Sequence, residues 1–481
     1  MAIALKFLLD TNNGTKEAAD VTLRNAQGYT PLMSATSFSQ VLPSLSTLVS
    51  YGADLEARYS YQDRTSLMHE ASTGDTEMVA ELLRLGANWT LTDVGLFTAL
   101  DLASYNCHGP TVQAFLDSSA FNQEILNTAI QWVVHRCVGA PVPPLTSLVD
   151  AGALVTDAVL RTAVSRNTVA VVNYLVPNVT NINGQDHLGE TAMHLAAKNS
   201  GDGDAKLRLL LDAGADPNLY NNRGYTPLLA AIIRVQNVKT VPVLLSDDSV
   251  NIEARDTRYN RSSLGFASEI GSQSIVDMLI KAGADVNARD NTDSTPLFGA
   301  VGKGGITNLL VAAGADVEAR SSVHNMTVLH YAAYQRKASG ITNLIEKGAE
   351  VNVKGYTQSR DFTPLHTAVE LNNQDVLDAL LAGGADVRLE TANGESALQY
   401  ASRLNRSTMV TAMLATLTPP TSAPPPVPPP VPPPVPPPVP PPVPPPVPPP
   451  IPPPVPPPIP PPVPPPVPPP VPPPYPGPSM Y

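Results

Sequence analysis

The stretch from Lys281 to Phe298, KAGADVNARDNTDSTPLF, limits what this chain can fold into more than any other. Gly283-Ala284-Asp285 reads as the end of a helix at a left-handed glycine, a conformation that glycine takes without a Cβ penalty. Val286 to Arg289 reads as an extended, polar-tipped connection. Thr295-Pro296-Leu297 opens a new helix, with proline in the first turn, where its missing N–H costs nothing. The same grammar recurs along the chain, with starts at Thr30, Thr65, Thr98, Glu124, Asp157, Thr191, Thr226, Ser262, Thr295, Thr327, Thr363 and Ser396. The twelve starts span 366 residues, an average step of about 33 residues. Units this short cannot bury a core alone, so the period predicts a stack in which each unit leans on its neighbours.

A period of about 33 residues combined with Thr-Pro-Leu-His-x-Ala is specific. Thr363-Pro364-Leu365-His366 carries it, as does Thr191-Ala192-Met193-His194-Leu195-Ala196-Ala197. Gly-Ala-Asp recurs at 52–54, 214–216, 283–285, 314–316 and 384–386. On these residues the chain resembles the ankyrin-repeat family, over roughly Leu23 to Leu417. The resemblance implies an all-α fold, an α-solenoid of helix-turn-helix units with hairpin loops, stacked into an elongated curve with a concave groove. It also implies non-catalytic binding of other proteins through the hairpin tips and that groove. It names no partner and no cofactor.

Composition divides the chain in two. Of its 55 prolines, 43 follow residue 417, and no charged residue does, so the whole net charge of −12 sits on the repeats. An acidic array argues against nucleic acid or an anionic membrane as partner, because both call for a basic footprint. No apolar run approaches the length of about eighteen residues that a spanning helix needs. Ala2 to Leu9 is interrupted by Lys6 and lacks the flanks of a signal peptide, which leaves the cytoplasm, with nuclear access, as the expected location. Cys107 and Cys137 are too few for a disulfide framework, and a reducing interior suits them.

Residues 1–22 read as the second half of a unit, with Leu5, Leu8 and Leu9 on one helical face. They are either an atypical cap or the remnant of a chain truncated upstream, and truncation is the favoured reading. Residues 23–180 begin regularly and degenerate at about 104–180, the expected place for a bend or break. Within that stretch, Val138-Gly-Ala-Pro-Val-Pro-Pro144 is predicted to be an exposed loop, since three prolines forbid a continuous helix. Residues 181–417 are regular again, with insertions near Val235 to Thr240 and at Tyr356 to Arg360. Polar Arg403, Asn405, Arg406, Ser407 and Thr408 suit a C-terminal cap.

Residues 418–481 obey different physics. Val-Pro-Pro-Pro repeats place an apolar residue at every fourth position from Val427 to Val471, then Tyr475. Consecutive prolines fix φ and remove donors, so the segment is expected to be disordered or polyproline II rather than helix or sheet. As polyproline II, some 55 residues reach roughly 170 Å. A four-residue repeat on a three-residue turn winds the valines around all faces, so no greasy stripe forms. Pro472-Pro473-Pro474-Tyr475 matches the P-P-x-Y ligand of WW domains, and profilin-like proline readers are a second candidate. A plain spacer is the bland alternative.

His69, His194, His330 and His366 are read as one recurring slot, which in the resembled family braces the hairpin through backbone hydrogen bonds. Cys107-His108 and His135-x-Cys137 are a legal zinc set, but the spacing matches no finger and they are read as ordinary residues. Lys303 sits among Gly302, Gly304 and Gly305 without the spacing of a phosphate loop. Nothing gathers a nucleophile, a base and an oxyanion site, so no catalytic, cofactor-binding or metal residue is assigned and no enzyme is expected. The hairpin tips carry Arg58, Tyr59, Tyr61, Tyr220, Arg223, Tyr225, Arg255, Arg258, Tyr259, Arg261, Arg289, Arg320, Lys354, Tyr356 and Arg360. Tyr and Arg dominate binding hot spots, and the cluster Arg255, Arg258, Tyr259 and Arg261 is the best candidate dock for an acidic peptide. Two rival readings are the ankyrin portion of a larger signalling or nucleotide-sensing protein, and a structural stalk built on the proline segment.

Overall fold

The computed structural model describes residues 20–36, 42–118, 121–139, 143–233, 238–357 and 360–417. The partial unit expected before residue 20 and the proline-rich segment lie outside them. Among the described residues the chain forms twelve helix pairs, from Pro31–Thr36 with Leu42–Ser50 to Ala397–Arg403 with Ser407–Leu417. They are units 1 to 12 below. The first helix of each unit packs on the first helix of the next.

Side chains at the helix starts explain the period. The Thr65 hydroxyl accepts the Met68 N–H, and Thr156 accepts that of Val159. Units 4 and 5 are capped by Asn122 and Thr156, so Glu124 and Asp157 fall in the first turn rather than at the start. Second helices are amphipathic: Thr76–Arg84 buries Met78, Val79 and Leu82 and turns Glu77 outward. They stop as the sequence reading expects, with Gly283 at φ 90° and the Ala284 N–H bonded to the Leu279 carbonyl at 3.0 Å.

Three of the four histidines share one slot. Nδ1 of His194, His330 and His366 accepts the N–H of its own capping threonine. Nε2 therefore carries the proton and donates across to the next unit, to the carbonyls of Tyr225, Phe362 and Glu395. His69 is a correction: it lies one residue later, and Met68 occupies the slot behind Thr65. In unit 1 Met33 stands there, its Sδ accepting the Thr30 N–H at 3.4 Å.

The degenerate stretch does not break the stack. Val133, Val134, Leu145, Leu148, Val155, Leu160, Val172 and Leu175 are all buried in one apolar cluster that runs from Val21 to Met413. The proline loop is shorter than predicted, because Pro143 and Pro144 open the helix Pro143–Asp150, where a first turn needs no N–H. The insertion expected to reach Thr240 gives way there to the helix Thr240–Leu245, and residues 234–237 lie outside the description. The one at Tyr356 to Arg360 is an antiparallel pair, Gly355–Thr357 with Arg360–Phe362, in register Gly355↔Phe362 and Tyr356↔Asp361.

The cysteines overturn the reduced, unpaired reading. Cys107 follows the first helix of unit 3 and Cys137 ends that of unit 4, and stacking brings them together as a disulfide with Cα atoms 5.7 Å apart. The bond consumes both thiolates a zinc site needs, and it sits against the expectation of a reducing interior. Closing a 30-residue separation stabilises the folded stack by about 3–4 kcal/mol in the chain-entropy view. Alkylation without reductant is expected to label neither cysteine, and reduction is expected to lower the melting midpoint of units 3 and 4 selectively, as read by hydrogen exchange.

Buried ionisable groups give the stack opposing pH responses. Burial pushes the Glu70 carboxyl up to about 7, with nearby Asp75 adding and the Thr36 and Thr73 hydroxyls offsetting only part. A carboxyl that holds its proton longer when folded makes stability fall as pH rises from about 4.5 to 7. Burial lowers His330 to about 4, so its unit loses stability as pH falls from about 6.5 toward 4. Glu70→Gln is expected to slow exchange in units 1 and 2 at pH 8 by the equivalent of about 2–3 kcal/mol relative to its effect at pH 4.5. An equal effect at both values refutes the assignment.

Candidate interaction surface

Many of the hairpin tips are prebuilt by an Asp or Asn side chain. Asp93 accepts the N–H groups of Gly95 and Phe97, Asp256 those of Arg258, Tyr259 and Arg261, and Asp290 those of Thr292 and Ser294. The chain then enters left-handed backbone two residues before the cap, at Gly28, Asp63, Leu96, Gly189, Gly224, Asn260, Asp293, Asn325 and Gly394. Tips also bond to each other: Val94 N–H to the Gln62 carbonyl at 3.2 Å, Asn291 to Tyr259 at 2.9 Å and Ser322 to Thr292 at 2.7 Å.

Several arginines read as binding anchors instead join units. Arg58 Nη1 donates to the Asp63 carbonyl of its own tip at 2.6 Å and to the Thr92 carbonyl of the next at 2.9 Å. Arg255 reaches the carbonyls of Asn260 and Arg289, Arg289 those of Asp293 and Arg320, and Arg320 those of Asn325 and Lys354. Arg24, which sequence reasoning missed, starts the same pattern by donating to the carbonyls of Gly28 and Arg58. A guanidinium suits this task because its rigid fork of donors meets two acceptors at once.

The other candidates divide by burial. Tyr59 is 8% exposed, packed edge-on to Tyr29 and against His69, so it is core and not a tip anchor. Arg261 pairs with Glu269 and lies 3.8 Å from Asp290. Tyr225 is half-buried and stacks edge-on against Phe266. Tyr61, Tyr220, Arg223, Arg258 and Tyr259 are exposed, with the Arg258 guanidinium 5.0 Å from the Tyr259 ring. The backbone of Tyr356 and Arg360 lies in the strand pair, and their side chains lie outside the description, as do Pro472, Pro473, Pro474 and Tyr475. Of the cationic cluster Arg255, Arg258, Tyr259 and Arg261, only Arg258 and Tyr259 are exposed, the Tyr259 ring lying against the guanidinium groups of Arg258 and Arg261.

A groove of about 630 Å³ crosses units 8 to 11. Its floor is the shortest first helix, Pro296–Gly299, with Phe298 and Val301. Gly299 is required there, since a Cβ would stand 2.9 Å from the Glu269 backbone nitrogen. Tyr334, 52% exposed, and Val323 rise from the rim, and neither was singled out from sequence. Lys303 is no phosphate ligand: its ammonium donates to the carbonyls of Ser268, Glu269 and Gly299 at 2.6–3.0 Å. Burial lowers its pKa.

A family model described as ankyrin repeats matches in three copies, over residues 160–257, 264–355 and 352–419. This chain belongs to the ankyrin-repeat family. Its ankyrin array is similar to part of the neurogenic locus notch homolog protein 1 of Mus musculus, 37% identical over 119 residues, 24% of this chain and 4% of that protein. The neurogenic locus Notch protein of Drosophila melanogaster is 36% identical over 121 residues, 25% of this chain and 4% of that one. The Danio rerio homolog is 33% identical over 132 residues, 27% and 5%. The matched ankyrin segment is thus a small fraction of each relative. No helix among the described residues is long and apolar enough to cross a membrane.

If the arginines are clamps, Arg320→Met removes two charge-assisted bonds and is expected to destabilise the junction of units 10 and 11 by about 1.5–3 kcal/mol. Faster amide exchange from Lys354 to Phe362, with units 1 to 6 unchanged, checks it.

Proposed function

We propose that this chain is a non-catalytic scaffold that holds other proteins through its ankyrin tips and groove. The groove over units 8 to 11 carries the reading. It joins an apolar floor at Phe298 and Val301 to exposed Tyr334 and Val323, the mixture of aromatic anchor and polar rim that concentrates binding energy, and the unit 8 tip adds exposed Tyr259 outside that lining. Arg258 stands beside Tyr259 as a cation for an acidic segment, while Arg255 and Arg261 hold the tip in shape. Tyr61, Tyr220 and Arg223 extend the contact to other tips. Membership of the ankyrin-repeat family, whose repeats are typically protein-interaction modules, supports the same reading. Pro472-Pro473-Pro474-Tyr475 offers WW-type or profilin-like readers a second contact, which raises the effective concentration of whatever the array holds.

Proximity labelling with wild-type chain and with Tyr259→Asp, Val323→Asp and Tyr334→Asp tests the groove and the unit 8 tip. The variants are expected to melt as wild type, because these side chains are exposed, and to lose partners by thirtyfold or more, the size of a hot-spot loss of about 2 kcal/mol. Full retention of every partner by the triple variant overturns the assignment.

A further inference from the structure

Units 2 to 4 present a second surface whose chemistry differs from the groove of units 8 to 11. It starts at Leu96. The equivalent residue is Gly, Asn or Asp in the eight other units where the backbone turns left-handed, and in unit 3 it is leucine at φ 64°. Bulky side chains rarely adopt that conformation. Hydrogen bonds to Asp93 hold the backbone there, but the side chain gains no packing in return, since Leu96 is 79% exposed. A strained residue that packs against nothing points outward for its purpose.

Leu96 is not alone. Val94 and Tyr61 are 72% and 78% exposed, on tips tied by the Val94 N–H to Gln62 carbonyl bond. The residue after Leu96, Phe97, turns to the unit face, where its ring meets Trp132 at 4.8 Å and Tyr105 at 5.7 Å. All three rings are half-buried, and a cleft of about 330 Å³ opens beside Phe97 and Tyr105.

The charges around this surface are mostly spent. Arg58 pairs with Asp63 at 2.8 Å and Arg64 with Asp93 at 3.0 Å. Asp101 is locked in its capping box with Thr98. Arg136 is exposed, lies 4.3 Å over the Tyr105 ring, and has no carboxylate partner among the described residues. An acidic chain thus offers, beside its aromatic cluster, one unneutralised guanidinium, the group best shaped to take a carboxylate in bidentate fashion.

We propose that units 2 to 4 form a separate docking site for an acidic, apolar peptide segment. Its aliphatic or aromatic side chains lie over Leu96, Val94 and the Phe97–Trp132 pair, and its carboxylate meets Arg136. The proposal rests on the protein-interaction reading and names the chemistry of one partner.

The test uses the full chain and a fluorescein-labelled peptide, Glu-Glu-Leu-Phe-Glu-Leu-Glu, with counterparts in which every Glu is Gln or Lys. Anisotropy is expected to show the Glu peptide at least tenfold tighter than the Gln peptide, with the difference shrinking at high salt. Arg136→Gln is expected to abolish the preference for Glu over Gln. Leu96→Asn suits the left-handed turn, so it is expected to keep or raise the melting midpoint while weakening both peptides at least fivefold. Equal affinity for the Glu and Lys peptides, wild-type binding by both variants, or no binding at all overturns the proposal. Loss of the peptide on Tyr334→Asp but not on Leu96→Asn leaves the interaction reading standing and removes this site.

Discussion

A carbonyl oxygen at the end of a short helix or at a hairpin tip has no intrahelical donor, and in this chain the adjoining unit supplies one. His194 and His330 reach the carbonyl before the next cap, and Arg289 and Arg320 reach the next tip. Asn167 donates to Val134 at 2.6 Å, and the fully buried Lys206 to Val164 at 2.9 Å while pairing with Asp202. Unpaired buried carbonyls cost about 1–3 kcal/mol each. A unit is therefore incomplete in its polar groups as well as in its apolar face, and nearest-neighbour terms set the stability of the whole.

That arrangement decides which residues are left for binding. Where a buried Asp or Asn such as Asp93, Asn221 or Asp256 shapes the turn and an Arg such as Arg58 or Arg255 ties it to the next, those polar residues are structural, the arginines even though partly exposed. What remains are exposed residues such as Tyr61, Tyr259 and Val323 within the turn, and Tyr220 just before it. The groove follows a similar logic. Close approach at Gly299 and the short helix Pro296–Gly299 leave a hollow that side chains of the neighbouring units line.

The fold was legible because period, caps and left-handed glycines are local signals, each written within a few residues of Thr295 or Gly283. The histidine bridges were legible for the same reason, except at His69, where a one-residue offset hides in a pattern read by eye. The surface was harder. Arg58 and Arg255 have the composition of hot spots, and only the distance to a carbonyl some 34 residues away shows them to be clamps. Tyr59 looks like a tip residue until Tyr29 and His69 close around it. Leu96 could have been found by aligning the tips, since leucine where others have Gly, Asn or Asp is itself a signal. The cysteine pair could not, because the contact depends on how unit 4, with its 14-residue first helix, seats on unit 3.

Under tension a stack of this kind comes apart a repeat at a time, each one lengthening the chain by its own extended reach. The Cys107–Cys137 link removes the 30-residue span between its ends from that count. At about 3.3–3.6 Å per residue, roughly 100 Å of chain stays coiled whatever force is applied to the rest. The segment from Cys107 to Cys137, which holds the second helix of unit 3 and the first helix of unit 4, would then be the part of the array that keeps its length when its neighbours are drawn out.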